Sequence, residues 1–206
     1  MNIDGPLVRY GPSLRSAMTR AALLLGLLQP ALLGAGESFR WGLQGGLLMP
    51  ASPDLKLTTS SGLNASLGAR LEWGSYADQT LRLRLDREQF GAGRQIKDSP
   101  TVHQEIDTRV HDESLGLEQL FHQERWFLGL GLYGIRWTVD STNKLSTPTG
   151  TFSPSGSSRW TRAGVGLLVG RHWNANLGAE FRFVASRYGQ ENQPTRVASL
   201  NLIWTF

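Results

Sequence analysis

Histidine, serine and carboxylate side chains are the first candidates for chemistry in this chain of 206 residues, which contains four histidines. Serine hydrolysis needs a histidine within hydrogen-bond reach of the nucleophile and a carboxylate that orients the ring. One segment holds all three types, and it contains Ser99, His103, His111, Asp112, Glu113 and Ser114. A solvated polar loop explains this segment better, so we expect no catalytic residue.

A metal or cofactor site finds little support in the sequence. His103 and His111 lie eight positions apart, without the ligand spacing of a metal motif. The chain has no cysteine, which excludes thiolate ligands and disulfides. The run from Gly91 to Gly93 is too short for a phosphate-binding loop. We therefore expect neither a metal nor a cofactor.

The first 36 residues are typical of a signal peptide. Arg20 precedes an apolar run from Ala21 to Leu28, Pro30 interrupts it, and small residues follow at 34–36. Because Met18 would itself begin a compact signal peptide, it is an alternative start. We expect residues 37–206 to form the mature domain. No later run approaches the roughly 20 apolar residues that a spanning helix needs.

The formal net charge of +4 is not a sign of a nucleic-acid surface. Beyond the leader the chain carries 18 basic and 16 acidic side chains of mixed order. We therefore expect no nucleic-acid partner, because such partners require clustered positive charge.

From residue 39 onward, apolar and polar residues alternate with a period of two, which indicates strands with one apolar face. Leu81, Leu83 and Leu85 are an example. The pattern predicts eight strands, at 39–49, 63–73, 80–90, 113–121, 126–138, 160–170, 175–186 and 196–206. The connections between them alternate between long and short, at 13, 6, 22, 4, 21, 4 and 9 residues. This rhythm is typical of an outer-membrane barrel with short periplasmic turns and long external loops.

The tryptophans indicate that the apolar face meets lipid. Five fall at the predicted periplasmic ends of strands: Trp41, Trp73, Trp126, Trp173 and Trp204. Trp137 and Trp160, with Phe90 and Tyr188, fall at the predicted external ends. Trp and Tyr prefer the headgroup level of a bilayer. The Ser- and Thr-rich loop at 139–159 is expected to be mobile and exposed.

The opposite face would then line the barrel interior. It carries charges of both signs, which we expect to pair: Arg70, Glu72, Arg82, Arg84, Asp86, Glu118, Arg162, Glu180 and Arg182. Eight strands leave an interior that side chains just fill, so the sequence predicts a closed lumen. Strand 126–138 fits poorly, since Phe127, Tyr133 and Ile135 lie out of phase with the leucines. A bulge near Gly134 would correct the phase.

The last strand carries the most specific signal. Apolar or aromatic residues occupy every second position from Ala198 to the final Phe206. This ending resembles the carboxyl-terminal signature of bacterial outer-membrane proteins, and the whole mature chain resembles the eight-stranded barrels of the OmpA/OmpX type. In that family the barrel assembly machinery recognises the terminal strand, which implies this role for Phe206, Trp204 and Leu202. The lipopolysaccharide deacylase family is characterised by a His-x-Ser arrangement. This chain lacks that arrangement.

The sequence therefore predicts an all-β transmembrane barrel of the bacterial outer membrane with a structural or surface-interaction role. Its partners would be outer-membrane lipid, lipopolysaccharide and the assembly machinery, and it would be a monomer. A lipid A-modifying enzyme and a soluble periplasmic barrel that binds an apolar ligand are the alternatives.

Overall fold

The computed structural model describes residues 38–52, 64–75, 78–189 and 192–206. The predicted signal peptide and most of the connection at 50–62 lie outside these residues. The described part contains ten strands: β1 (Ser38–Pro50), β2 (Ala65–Ser75), β3 (Gln79–Gln89), β4 (Gly93–Ser99), β5 (Val102–Gln123), β6 (Trp126–Thr147), β7 (Gly150–Phe152), β8 (Ser155–His172), β9 (Leu177–Tyr188) and β10 (Gln193–Thr205). Among the described residues, no helix has the length and apolar character needed to cross a membrane.

Eight of these strands close into an antiparallel ring. The order around the ring follows the chain, as β1, β2, β3, β5, β6, β8, β9 and β10. β10 then pairs with β1, from Thr205 opposite Gly42 to Val197 opposite Pro50. β4 and β7 are additional strands that pair with β5 and β6. The predicted eight-stranded up-and-down barrel is confirmed.

The two longest predicted loops are largely β-structure, which corrects the sequence analysis. β5 and β6 pair without interruption from Gln123 opposite Trp126 to His103 opposite Ser146. Segment 139–159 therefore contributes to β6, β7 and β8 rather than forming one irregular loop. The physical reason is that β-branched residues occur in both segments, as Ile, Thr and Val in residues 91–112 and chiefly as Thr in residues 139–159, and these residues favour continuation of the ladders of the barrel strands. The hairpins at this end define the upper end of the barrel, and Phe39 and Phe206 define the lower end.

The apolar face of the strands points outward. On β3, Arg82, Arg84 and Asp86 are buried inside the ring, whereas Leu85 on the other face is 59% exposed. Leu83 and Leu81 share the outward face of β3, but Leu83 is half-buried and Leu81 is buried. On β10 the outward row of Leu200, Leu202 and Trp204 is exposed along its whole length. This arrangement is the inverse of a soluble barrel.

The bulge near Gly134 that would correct the phase of strand 126–138 does not occur. The register of β6 against both neighbours is continuous past this residue. Phe127, Tyr133 and Ile135 simply point inward. The ring of Tyr133 fits because glycines surround it: a Cβ at Gly116, Gly131 or Gly166 would lie only 2.5–2.7 Å from its atoms.

The predicted upper aromatic rim is also corrected. Trp137 has the same phase as Tyr133 and is only 1% exposed. Inside the barrel its ring packs 5.6 Å from Phe90 and 5.2 Å from Tyr188, measured between ring centroids. Trp160 is half-buried against Tyr188. These four side chains therefore face the interior, while exposed tryptophans are found at the lower end: Trp41, Trp126, Trp173 and Trp204.

Candidate functional site

The centre of the barrel interior is an ion-pair cluster built from the three neighbouring strands β2, β3 and β5 and from β9. Arg82 lies between three carboxylates: its Nε is 2.7 Å from Glu72, and its Nη1 is 3.1 Å from Glu118 and in contact with Glu180. Arg84 contacts Glu180 as well, and its Nε donates to Asp86 over 2.6 Å. All of these side chains are fully buried. Alternation on antiparallel strands brings them together because each strand turns its charged face inward.

Arg70 and Arg182 extend the cluster toward the two ends of the barrel. Arg70 lies 3.4 Å from Glu72 and donates to the hydroxyl of Thr205 at the lower end. Arg182 donates to Asp86 over 2.8 Å and to Glu88 at the upper end. Eight of the nine residues that the sequence analysis proposed thus lie in one connected set. Arg162 lies apart from it, and donates to the backbone carbonyl oxygens of Gly189 and Thr161.

The sequence analysis did not place Tyr133, Glu88 and Asp112 in the polar interior. The hydroxyl of Tyr133 donates to Glu118 over 2.6 Å, and its out-of-phase position was the signal. Glu88 continues the alternation of Arg82, Arg84 and Asp86, so its position was visible in the pattern. Asp112 was assigned to a loop, although it is only 2% exposed inside β5.

Two apolar layers enclose the ion-pair cluster. The lower layer consists of Leu120, Phe127, Leu168 and Ile203, all buried. The upper layer, which we call the upper cap, consists of Leu48, Phe90, Val110, Tyr133, Ile135, Trp137, Val184, Tyr188 and Val197. Charged groups so enclosed are shielded from water, which strengthens their mutual attraction.

The residues considered for hydrolysis do not come together. His111 lies on the outward face of β5, where its Nδ1 is 3.9 Å from Asp140, and Ser114 is buried on the inward face. The ring of His103 contacts the carboxylate of Asp98, but Ser99 hydrogen-bonds with the backbone of Val102. Within the described residues, no group of three or more histidines, cysteines or carboxylates is placed to hold a metal ion.

The end of β10 is joined to β1 by backbone and ring contacts. The amide of Phe206 donates to the carbonyl oxygen of Trp41 over 2.8 Å. The ring of Phe206 stacks 4.3 Å from Trp41 and 5.9 Å from Trp204. Leu202 and Trp204 are exposed, whereas Thr205 is buried inside. The terminal aromatic residues therefore form part of the lower rim.

The exposed apolar side chains of the outward face, which include Leu85, Leu115, Leu130 and Leu200, form a band that we call the apolar belt. Above this belt, the outward face carries exposed arginines on five strands: Arg87, Arg136, Arg159, Arg187 and Arg196. Arg87 and Arg136 lie on either side of Glu113 on β5, and Arg136 is 3.7 Å from this carboxylate. We call this set the upper arginine rim.

An apolar exterior, a charged interior and a closed ring of eight strands together define a barrel of the outer-membrane type. Similar solved structures include Ail of Yersinia pestis, with 12% identity over 82% of this chain and 97% of that chain and a TM-score of 0.39. Neisserial surface protein A has 16% identity over 82% and 97% of the two chains and a TM-score of 0.43. The N-terminal β-barrel domain of Pseudomonas aeruginosa OprF has 13% identity over 83% and 100%, with a TM-score of 0.41. No protein-family model and no curated protein sequence matches the chain.

Proposed function

We propose that this protein is an integral barrel of the bacterial outer membrane with a structural or surface-interaction role and a closed lumen. The observation that carries the proposal is the polarity of the two strand faces. A row such as Leu200, Leu202 and Trp204 is exposed around the outside, while whole ion pairs are buried inside. Water disfavours such an exterior, and a bilayer favours it.

The aromatic and arginine rims support a defined depth in the membrane. The rings of Trp41, Trp204 and Phe206 fit the periplasmic headgroup level. The upper arginine rim then lies at the outer leaflet, where lipopolysaccharide carries phosphate groups. Exposed guanidinium groups bind phosphate through paired hydrogen bonds, so lipopolysaccharide is the lipid partner we propose for this rim.

The layered interior supports a closed lumen. A permeating ion would have to pass the lower apolar layer, the ion-pair cluster and the upper cap in turn. The cluster itself leaves little room, since Arg82 and Arg84 each contact two or more carboxylates. We therefore propose a barrel that functions through its rims and its upper hairpins rather than as a pore.

Export and assembly complete the proposal. Residues 1–36 would direct export, and Leu202, Trp204 and Phe206 would be recognised by the barrel assembly machinery. These three side chains are exposed on the outward face, where another protein can contact them. The barrel closes on itself, so we propose that it functions as a monomer.

Membrane fractionation with heat-modifiable gel mobility tests the location. We expect the protein in the outer-membrane fraction and a mobility shift on boiling. Recovery in the soluble periplasmic fraction would contradict the proposal. Planar-bilayer recording tests the closed lumen separately, because a large, steady current through the pure protein would refute closure and leave the location intact.

A further inference from the structure

A cavity of about 10 Å³ lies in the barrel interior, where the ion-pair cluster meets the upper cap. Its polar walls include Glu88, Asp112, Ser114, Arg182 and Thr195, and Trp137 lies beside them. This volume corresponds to about one water molecule. The cavity is level with Arg87, Glu113 and Arg136 of the outer surface, and so lies above the apolar belt.

Three of the lining residues form a single row across neighbouring strands. Glu88 on β3 is opposite Asp112 on β5, and Asp112 is opposite Trp137 on β6. Asp112 is 2% exposed and Trp137 is 1% exposed. Within the described residues, Asp112 Oδ1 and Trp137 Nε1 have no hydrogen-bond partner. One atom is an acceptor and the other a donor, so a water molecule between them can donate to Asp112 Oδ1 and accept from Trp137 Nε1.

The buried carboxylates of the interior outnumber the arginines that pair with them. The buried arginines are Arg70, Arg82, Arg84 and Arg182, and the buried carboxylates are Glu72, Asp86, Glu88, Asp112, Glu118 and Glu180. Arg40, half-buried on the inward face of β1 opposite Glu72, adds one positive charge. Arg162, half-buried on the inward face of β8, adds another, but it donates to the backbone carbonyl oxygens of Gly189 and Thr161 rather than to a carboxylate. With Arg162 so occupied, one carboxylate is in excess of its arginine partners among the described residues.

The excess falls at Asp112. The guanidinium of Arg182 donates to Asp86, Glu88 and Ser199, so its bonds are directed away from Asp112. A buried carboxylate without a counter-charge is costly, and two neighbouring acids with one cation between them retain a proton.

We propose that this cavity is a binding site for one water molecule and one proton. The water bridges Trp137 Nε1 and Asp112 Oδ1, and Asp112 and Glu88 share the proton. The titratable and charged groups around Asp112 are Glu88 and Asp86 from β3, Arg182 from β9, Tyr133 from β6 and Glu113 on the other face of β5. β10 contributes only the uncharged Thr195 and Val197 to the cavity wall.

Infrared spectroscopy of the full chain folded in phospholipid vesicles tests the proton directly. At pH 7 the unmodified protein should show the carbonyl band of a protonated carboxyl group. Asp112→Asn and Glu88→Gln should each abolish the band, because Arg182 then suffices for the one remaining acid. The matched control Asp107→Asn, an exposed position on β5, should keep it. Having two variants keeps the test decisive if one of them fails to fold.

Two further measurements complete the test. Since the folded state would hold a proton that the unfolded chain releases at neutral pH, stability should fall as pH rises, by up to about tenfold in the unfolding equilibrium constant per pH unit. Asp112→Asn should remove this dependence. Trp137→Phe should shift the frequency of the carboxyl band without abolishing it. Absence of the band in the unmodified protein, or its survival in both acid variants, would overturn the shared proton, and an unchanged frequency in Trp137→Phe would overturn the water bridge.

Discussion

Replacing Arg82 by methionine removes the guanidinium that contacts three buried carboxylates, and it therefore tests the ion-pair cluster most severely. The change leaves Glu72, Glu118 and Glu180 with their charges but with fewer partners. Removing one partner of a buried pair costs about 3–5 kcal/mol, chiefly because the remaining charge is uncompensated. Arg84 still reaches Glu118 and Glu180, over 3.5 Å in the case of Glu118, which limits the loss. We expect a decrease of about 3–4 kcal/mol in the free energy of unfolding, within that range.

Urea titration of the barrel in phospholipid vesicles, followed by gel mobility, measures this decrease. Arg87→Met is the matched control, because Arg87 lies on the same strand but on the exposed outer face. It should change stability by less than about 0.5 kcal/mol. Adding Glu180→Gln to Arg82→Met removes one stranded charge and should restore part of the loss. A cost below about 1 kcal/mol for Arg82→Met would refute the ion-pair account, since that is the range of solvent-exposed pairs.

Three further predictions concern the belt, the packing of the interior and the terminal strand. Leu200→Arg places a charge midway along the outward face of β10 and should cost about 2–4 kcal/mol in the vesicle assay, whereas Leu200→Met should be neutral. Gly166→Ala brings a Cβ to 2.7 Å from the ring of Tyr133 and should cost about 1–3 kcal/mol, a cost that Tyr133→Leu relieves in the double variant. Equal costs in both backgrounds would contradict that packing. Deleting Phe206 removes a rim contact with Trp41 but little of the strand ladder, so the protein should fold in detergent yet insert poorly in cells; normal insertion would contradict a recognition role.

The architecture was predictable because a membrane barrel imposes its pattern on every strand. The alternation of Leu83 and Leu85 with Arg82 and Arg84 allows only two arrangements of the closed ring, with either the leucines or the arginines outside. In the structure the arginines are buried inside the ring. Strand number followed from the alternation with a period of two, and the rhythm of the connections indicated the short turns and long loops of a membrane barrel. The pairing of charges in the interior was predictable only as a set, because the partners of Arg82 come from β2, β5 and β9, at separations of 10, 36 and 98 residues.

The upper end was predicted less well, for a physical reason. Above the bilayer, a strand no longer has to separate apolar from polar faces, so Ser, Thr and charged residues in segment 139–159 resemble a loop. Trp137 was assigned to a lipid-facing rim because its position along the strand was known and its phase was not. Its phase depended on Tyr133, whose inward position is possible only because Gly116, Gly131 and Gly166 make room for the ring. The space for this ring is formed by glycines of three strands. The sequence of any single strand therefore carries no signature of it.

The buried charges also set the register of the barrel. A shift of one residue in β3 would turn Arg82, Arg84 and Asp86 into the lipid and Leu83 and Leu85 into the ion-pair cluster. Each arginine near the bilayer midplane would then cost about 2–4 kcal/mol, so the slipped register is excluded by several kcal/mol. An apolar interior would not discriminate in this way, because leucines are tolerated on both faces. The charged interior therefore contributes specificity to the strand pairing even where its net contribution to stability is small.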